Sequence, residues 1–397
     1  MEEFKENAFS AAGRFMKRAA VQTVFLATGF CAVLWSLPSF LSASDIGVIL
    51  GVIAGAEMFA YLFLQGKTAN STLENLVACW IALCVAVSFA VFLEGIAVFK
   101  GQPIAALCLL GMTLPLSLMR FYTLSCAISV FAQVVYSARL IVFALGFWIL
   151  NQLAPASVEL IVAFSVFLVA MMLAAVLWGR DKAAESQATQ GISNQGMLSW
   201  LKYADVLVAA SLFPPTIFFP YLVAKGISMI LVAFLRGFEI STQPQLSAAV
   251  AAQDQARFAA ITARINLGIL LMIGGLAVGL LGILPLISLF PIIDLQTVHS
   301  IALWLLLAES VPALCGATTL ILRNIGFKIY DRSLTILGCL VFLSLSFALP
   351  TENSVQVAKT YATVQICIGF AGAVVLAVKA GVWPGVTAVL FRQIRLF

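Results

Sequence analysis

Residues 157–199 read SVELIVAFSVFLVAMMLAAVLWGRDKAAESQATQGISNQGMLS, and this stretch decides the fold class. Its first part, residues 157–179, is a nearly unbroken apolar run, and a helix needs only about 20 such residues to cross the hydrocarbon core of a bilayer. Its second part, residues 180–199, is polar and poor in bulky apolar side chains, which is typical of a mobile linker. The stretch therefore predicts a membrane span followed by a linker between two parts of the chain.

The composition of the whole chain also indicates a bilayer location. Of 397 residues, 62% are hydrophobic and 10% are charged, whereas a soluble domain has about 45–50% apolar and about 25% charged residues. Polar side chains are too few to cover a water-facing body of this size. An ordinary soluble protein and a disordered protein are both excluded.

Twelve apolar segments are long enough to span a bilayer. They are residues 19–42, 46–66, 76–99, 103–121, 130–152, 157–179, 202–223, 226–250, 264–290, 299–322, 334–350 and 357–378. The linker, residues 181–199, separates six spans of an N-terminal lobe, residues 1–180, from six spans of a C-terminal lobe, residues 200–397, which ends in a tail. Two such halves in the same orientation predict an all-α polytopic membrane protein with a pseudo-twofold axis along the membrane normal. The substrate site is then expected between the lobes.

The positions of Lys and Arg predict the orientation of the chain, because cytoplasmic loops retain positive charge. Seventeen of the 22 basic residues lie on one side of the predicted spans, and only Lys100, Lys225 and Lys359 lie on the other. We therefore expect both termini and the linker in the cytoplasm. This topology also accounts for the net charge of +5, so that membrane lipids are an expected partner and nucleic acid is not.

The sequence predicts neither a metal site nor a cofactor. His299 is the single histidine, which excludes every site that needs two imidazoles, and the eight cysteines show no CxxC pairing. The phosphate-binding loop of ATPases is absent as well. Every predicted external loop has about ten residues or fewer, which is too short for the catalytic loop of a membrane-bound polymerase or ligase. We therefore expect that the protein is not an enzyme.

Residues 237–267, GFEISTQPQLSAAVAAQDQARFAAITARINL, look like a segment of polysaccharide exporters. In those proteins the end of helix eight has a Pro-x-Leu-Ser turn, here Pro244 to Ser247, which is followed by an acidic residue, here Asp254, and a basic amphipathic run. Asp45-Ile46-Gly47 resembles the family's entry to the second span. With its twelve-span layout, the chain resembles the multidrug/oligosaccharidyl-lipid/polysaccharide exporter superfamily, and its short loops resemble the O-antigen and polysaccharide flippase branch.

The resemblance implies a flippase of the bacterial inner (cytoplasmic) membrane. Such a protein translocates a polyprenyl-diphosphate-linked oligosaccharide, an O-antigen or exopolysaccharide repeat unit, by alternating access. Its partners would be this lipid-linked oligosaccharide and other membrane proteins of polysaccharide assembly. The alternative is a cation-coupled drug or small-metabolite antiporter of the same superfamily, although residues 19–42 lack the acidic residue common in the drug-exporter branch. A net basic cavity would favour the flippase, and a net acidic cavity would favour the antiporter.

Five ionisable residues fall deep within the predicted spans, where a charge costs about 2.5–3.5 kcal/mol at a helix centre. Arg236 and Arg139 are the candidate cationic residues for a diphosphate, because an arginine fork stays charged and binds phosphate oxygens in pairs. Glu57, Glu239 and Glu309 are the candidates for gating or ion coupling. Glu57 lies ten residues after Gly47 and Arg236 lies ten after Gly226, so the two occupy equivalent positions in the halves.

Each of these roles has a structural alternative. Arg236 and Glu239 are three residues apart and could simply neutralise each other on one helix face. Arg139 is buried if its helix begins near residue 130, or else it reaches the cytoplasmic interface. Glu309 suits a proton-coupling group, because a lone carboxylate in hydrocarbon is costly in its ionised form, but a protonated acid hydrogen-bonded to a neighbouring helix fits equally.

Overall fold

The computed structural model describes eight continuous stretches of the chain, together with scattered positions in residues 25–33, 258–282, 318–322 and 383–384. The continuous stretches are residues 42–63, 103–125, 130–153, 158–178, 196–252, 294–316, 325–348 and 353–381. Within them the regular elements are helices, and these described residues contain no β-strand. The predicted all-α fold is confirmed.

The helices of the described stretches are numbered here in chain order. They are α1 (Ala43–Phe63), α2 (Pro103–Ser125), α3 (Val130–Ser137), α4 (Arg139–Leu153), α5 (Val158–Trp178), α6 (Gly196–Leu212), α7 (Pro215–Ala251), α8 (Leu295–Glu309), α9 (Val311–Cys315), α10 (Lys328–Ala348) and α11 (Ser354–Ala380). The predicted span 76–99 lies outside the described residues, and spans 19–42 and 264–290 are described only at scattered positions. The count of twelve spans therefore stays a prediction.

The described helices fall into two compact units, and the division lies at residues 223 and 224, inside α7. In the first unit α1 packs on α2, α5 and α6, while α5 also packs on α2, α3 and α4. Its core is formed by side chains such as Ile49 of α1, Met112 of α2 and Phe147 of α4. The predicted lobe boundaries at residues 180 and 200 stay a prediction.

In the second unit α11 is the central helix, since α8, α9 and α10 all pack against it. Asn353 caps its N-terminus by accepting a hydrogen bond from the Val355 backbone N–H at 2.7 Å. Gly381 ends it in the left-handed conformation, with φ of 64°, and donates its N–H to Ala377 O at 3.1 Å. α11 therefore provides a fixed surface on which side chains from the other helices can meet.

The outer surface of the helices is apolar, as a bilayer requires. α10 alone exposes four large apolar side chains to at least half of their surface, namely Ile336, Leu337, Leu340 and Phe347. Three helical segments of the described part are long and apolar enough to cross a membrane, namely Pro215–Val232, Ile329–Ala348 and Ser354–Ala380, and five shorter helices are also apolar. The chain is a multipass membrane protein.

The predicted boundary between the seventh and eighth spans is wrong. We expected these spans at 202–223 and 226–250, with Lys225 in an external loop, but the break lies at Phe213 and Pro214 and α7 then runs unbroken through Lys225. Pro214 and Pro215 account for the break, because neither ring nitrogen can donate to the preceding turn. The predicted turn at Pro244 to Ser247 is likewise helical. At 1.5 Å per residue, α7 is about 55 Å long.

Two other predicted spans are interrupted. The span 299–322 breaks at Ser310, between α8 and α9, where Pro312 in the first turn of α9 lacks a backbone donor. The span 130–152 begins at Val130 as expected, but a turn at Ala138 divides it into α3 and α4. Both breaks lie beside a charged candidate residue, Glu309 and Arg139 respectively.

Candidate functional site

A buried lysine, a buried glutamate and a buried tyrosine meet in the second unit. The ammonium Nζ of Lys225 on α7 lies 3.6 Å from Oε1 of Glu309 at the end of α8. The Tyr361 hydroxyl on α11 donates to the same oxygen at 3.5 Å, and the Tyr361 ring lies under the ammonium, 4.7 Å from its centroid. We call these three residues the charge triad. It places two opposite charges and an aromatic ring together at the junction of three helices.

Local chain features fix each member of the triad. Glu309 ends α8 at the break made by Ser310 and Pro312, and the Ser310 hydroxyl donates to Leu306 O at 2.6 Å. Tyr361 is held edge-on against Phe342 of α10, with ring centroids 5.7 Å apart. Lys225 lies one turn past Tyr221 in the first half of α7. The triad therefore comes from three helices, and a fourth helix, α10, supports the ring of Tyr361.

Burial makes the triad energetically important. Lys225 is 3% exposed, Glu309 is 5% exposed and Tyr361 is 1% exposed. A single charge in such surroundings is strongly unfavourable, and a pair persists because each charge compensates the other. The hydroxyl and the ring of Tyr361 add a hydrogen bond and a cation–π contact of the kind that buried charges need. The predicted burial of Glu309 is thus confirmed, whereas its coupling role stays a prediction.

Arg139 is also buried, and it is held by the residue three positions before it. Its exposed fraction is 9%, as expected if the helix began near residue 130. Its Nη1 donates to Tyr136 O at 2.8 Å, and its guanidinium lies 4.4 Å from the centroid of the Tyr136 ring. These contacts satisfy the group at the turn between α3 and α4. Its role in binding substrate stays a prediction.

A second carboxyl–tyrosine pair lies in the first unit. Asp205 of α6 is fully buried, and the Tyr221 hydroxyl of α7 donates to its Oδ2 at 2.8 Å. This contact is shorter than the one between Tyr361 and Glu309 and has the length of a strong O–H···O bond. It links the two helices on either side of the break at Phe213 and Pro214.

The other candidate residues are described only through their backbone. Glu57 lies on α1, and Arg236 and Glu239 lie on α7, but their side chains lie outside the described residues. Positions 225 and 236 of α7 are eleven residues apart, which is about three turns, so they share one face of the helix. The pairing of Arg236 with Glu239 or with Glu57 stays a prediction.

Solved structures that are similar to this chain belong to membrane transporters. No known family model matches the sequence, and no curated protein is similar to it. One similar structure is described as the inward-facing conformation of a multidrug resistance MATE family transporter of the MOP superfamily, with TM-score 0.59, 12% identity, and coverage of 91% of this chain and 94% of that chain. Lipid II flippase MurJ in an inward closed conformation has TM-score 0.54 and 12% identity over 95% of this chain and 88% of that chain.

A eukaryotic MATE transporter, AtDTX14, gives TM-score 0.51 and 16% identity, with 94% of each chain covered. The chain has the fold of the MOP exporter superfamily. This fold agrees with the superfamily that the sequence resembles, and the coverage extends over nearly the whole chain. The neighbours are transporters, and at these identities the likeness concerns the fold.

The buried charges of this MOP fold are nearly balanced in the part of the chain that the structure describes. They comprise two bases and three acids, namely Arg139, Lys225, Asp205, Glu309 and Asp331. The number of buried acids and bases therefore does not distinguish a flippase, for which a net basic cavity was expected, from an antiporter, for which a net acidic cavity was expected. What distinguishes the charges is how each one is held.

Four residues of the triad and of the second carboxyl–tyrosine pair were not predicted from the sequence, namely Lys225, Tyr361, Asp205 and Tyr221. Lys225 was assigned to a loop, because two spans of ordinary length leave positions 224 and 225 between them. Asp205 falls near the start of the predicted seventh span, and an acidic residue in an apolar run was a signal for it. Tyr361 carried no signal of its own, since a tyrosine in an apolar helix occurs in most membrane proteins.

Proposed function

We propose that this protein is a flippase that moves a polyprenyl-diphosphate-linked oligosaccharide across the bacterial inner membrane. The observation that carries the proposal is the buried ammonium of Lys225, held in a membrane protein with the MOP fold. A lysine in hydrocarbon is costly and marks a pathway for anions or a relay of charge. A diphosphate headgroup is the part of a lipid-linked oligosaccharide that such a cation would attract, whereas a cationic drug would be repelled by it.

Arg236 and Arg139 are assigned to the same anionic headgroup. Position 236 follows Lys225 on one face of α7, about 16 Å further along the helix, so the two would form a basic track for a translocating phosphate. Glu57, Glu239 and Glu309 would balance these cations and exchange partners as the protein alternates between states. No bond is made or broken, and we assign no cofactor and no enzyme activity. Twelve spans in two lobes, with both termini cytoplasmic, are part of the proposal.

A drug or small-metabolite antiporter is the second candidate, and Asp205 is the observation that favours it. Asp205 is fully buried against Tyr221. A buried carboxyl can take up and release a proton or contact a cationic substrate. The multidrug transporter structure described above has the same overall fold at 12% identity.

The test is mass spectrometry of lipid-linked oligosaccharides in cells depleted of this protein. Access of a glycan-cleaving enzyme to spheroplasts reports the leaflet in which each species resides. We expect a complete repeat unit to accumulate in the cytoplasmic leaflet, and expression of the wild-type chain to reverse this. No accumulation would contradict the flippase function and favour the antiporter.

The assay also has a matched pair of lysine variants. Lys225 lies buried above Tyr361, whereas Lys359 is exposed above Trp304, 5.6 Å from the ring centroid. If the ammonium of Lys225 carries the function, Lys225→Met will fail to reverse the accumulation at equal protein level. Lys359→Met will reverse it fully.

A further inference from the structure

We propose that Glu309 is a displaceable counter-ion that occupies Lys225 until the phosphate oxygens of the substrate take its place. The proposal rests on the proposed function and deepens it, since it names the residue that binds the diphosphate and the residue that competes for it. In this arrangement the carboxylate stands in for the substrate anion. The buried ammonium is thereby neutralised in the absence of substrate, and the site stays selective for anions.

The distances in the triad indicate an exchangeable contact. Charge-assisted N–H···O bonds are about 2.7–2.9 Å long. The Lys225 Nζ to Glu309 Oε1 distance is 3.6 Å, and the Tyr361 hydroxyl lies 3.5 Å from the same oxygen. The ion pair is thus close enough to neutralise both charges, but both contacts are longer than optimal bonds. A ligand that offers more charge and more acceptor oxygens than one carboxylate can therefore displace it.

The chemistry of the three groups favours a diphosphate as that ligand. An ammonium has three donors and no acceptor, so it can bind more than one anionic oxygen at a time. A diphosphate carries more than one negative charge and several acceptor oxygens, whereas a carboxylate carries one charge. The Tyr361 hydroxyl can donate to a phosphate oxygen as it does to Glu309. The site would therefore gain electrostatic energy on exchange.

The surrounding helices allow the exchange without leaving Lys225 alone. Glu309 is the last residue of α8, directly before the break at Ser310, where Pro312 cannot donate a backbone hydrogen bond to the preceding turn. Tyr361 lies two turns into the long capped helix α11, and its ring lies 4.7 Å from the ammonium. When the carboxylate leaves, the cation–π contact stays. Lys225, Glu309 and Tyr361 all belong to one compact unit, so the exchange is an event within that unit.

The experiment measures binding of farnesyl diphosphate to the purified full-length protein in detergent, with farnesol as the uncharged control ligand. Glu309→Gln removes the competing charge and keeps the shape of the side chain, so we expect about tenfold tighter binding of farnesyl diphosphate than in the wild type. Farnesol binding should not change. Lys225→Met should lose the diphosphate-dependent part of binding, and Lys359→Met should leave it unchanged.

Lys225→Met leaves the Glu309 carboxylate without its ion-pair partner and could misfold for that reason. A double variant therefore tests the role of Lys225 without an unpaired charge. Lys225→Met/Glu309→Gln buries two uncharged groups, and we expect it to fold and to bind farnesyl diphosphate no better than farnesol. If the double variant binds the diphosphate as tightly as Glu309→Gln does, Lys225 is not the anion site and the proposal is overturned. Equal affinity of the wild type and Glu309→Gln would also overturn it, because the carboxylate would then not compete.

Failure of the proposed function gives a different pattern. One outcome is that depleted cells accumulate no lipid-linked oligosaccharide while Glu309→Gln still tightens farnesyl diphosphate binding. In that case the counter-ion role of Glu309 is supported and the substrate is another anionic amphiphile. If the oligosaccharide accumulates but the affinity is unaltered in Glu309→Gln, the flippase function stands and the counter-ion is rejected. The two measurements thus separate the two proposals.

Discussion

Lys225 and Arg139 are both buried cations, but they are held in opposite ways. The guanidinium of Arg139 is held by the carbonyl and ring of Tyr136, three residues earlier in the chain, at 2.8 Å and 4.4 Å. The ammonium of Lys225 is held by Glu309 and Tyr361, which come from two other helices, at 3.6 Å and 4.7 Å. These contacts of Arg139 are local in the chain, and these contacts of Lys225 are tertiary.

The difference decides which cation can respond to a change of conformation. Tyr136 and Arg139 are three residues apart in the chain, so their contact does not depend on how α7, α8 and α11 are placed. Contacts between α7, α8 and α11 change with any shift of these helices. The region around Lys225 is therefore suited to exchange partners during transport, and the region around Arg139 is suited to hold its shape.

The largest expected effect is that of Lys225→Met on stability. The substitution leaves Glu309 buried without its ion-pair partner, and breaking a buried pair in this way costs about 3–5 kcal/mol. The measurement is the free energy of unfolding of the purified protein in mixed micelles, by titration with a denaturing detergent. Lys359→Met is the matched control, with an expected loss below about 1 kcal/mol for an exposed cation–π contact.

The double variant tests the physical reason for this loss. Replacing both members of a buried pair is often nearly neutral, so Lys225→Met/Glu309→Gln should recover at least half of the stability lost in Lys225→Met. A double variant as unstable as the single one would show that Lys225 stabilises the chain through packing and not through charge.

Gly369→Ala should have the second largest effect, because it disturbs the tertiary contacts around the triad. A Cβ at position 369 of α11 would overlap Val311 Cγ1 and lie 3.3 Å from Cys315 Sγ, both on α9. Overpacking of this kind typically costs about 1–3 kcal/mol. Gly111→Ala in α2 is the matched control, since its Cβ would meet Val166 Cγ1 at an ordinary 3.5 Å. Equal unfolding free energies for both variants would mean that α11 can move away from α9 freely.

The sequence alone predicts the fold class and one of the three residues of the triad, Glu309. Long apolar runs demand helices in a bilayer, and Glu309 in the middle of such a run was an obvious candidate. Lys225 could not be found in this way, because its placement depends on where one helix ends and the next begins. The prolines at 214 and 215 move that boundary by eleven residues, from residue 224 to residue 213.

Tertiary contacts account for the rest of what sequence reasoning missed. The spacing of residues 225, 309 and 361 carries no periodic signal, since these positions lie on separate helices. The contacts of Arg139 could have been predicted from the sequence, because Tyr136 lies one turn earlier on the predicted helix. Local neighbours can thus be inferred from helical periodicity, whereas partners from distant helices need the packed structure.

Arg139→Met should have a smaller effect than Lys225→Met on both stability and transport. It removes one hydrogen bond to a carbonyl and one cation–π contact, together about 1–2 kcal/mol. Because its guanidinium is already bound to Tyr136, we expect Arg139→Met to reverse the oligosaccharide accumulation in depleted cells with less than a tenfold loss of activity relative to the wild type. The measurements are unfolding in mixed micelles and mass spectrometry of depleted cells that express each variant. A complete loss of transport with normal stability would reverse the ranking of the two cations.

The smallest effect should come from Tyr361→Phe, and its comparison with Tyr221→Phe measures how tightly the triad is held. Tyr361→Phe removes a hydroxyl 3.5 Å from Glu309 but retains the ring under Lys225 and against Phe342. Such a long contact contributes little, so a loss below about 0.5 kcal/mol is expected. Tyr221→Phe removes a 2.8 Å bond to buried Asp205, which should cost about 1–2 kcal/mol. If Tyr361→Phe cost as much as Tyr221→Phe in the same unfolding assay, the triad would be a tight structural network and Glu309 could not leave Lys225 readily.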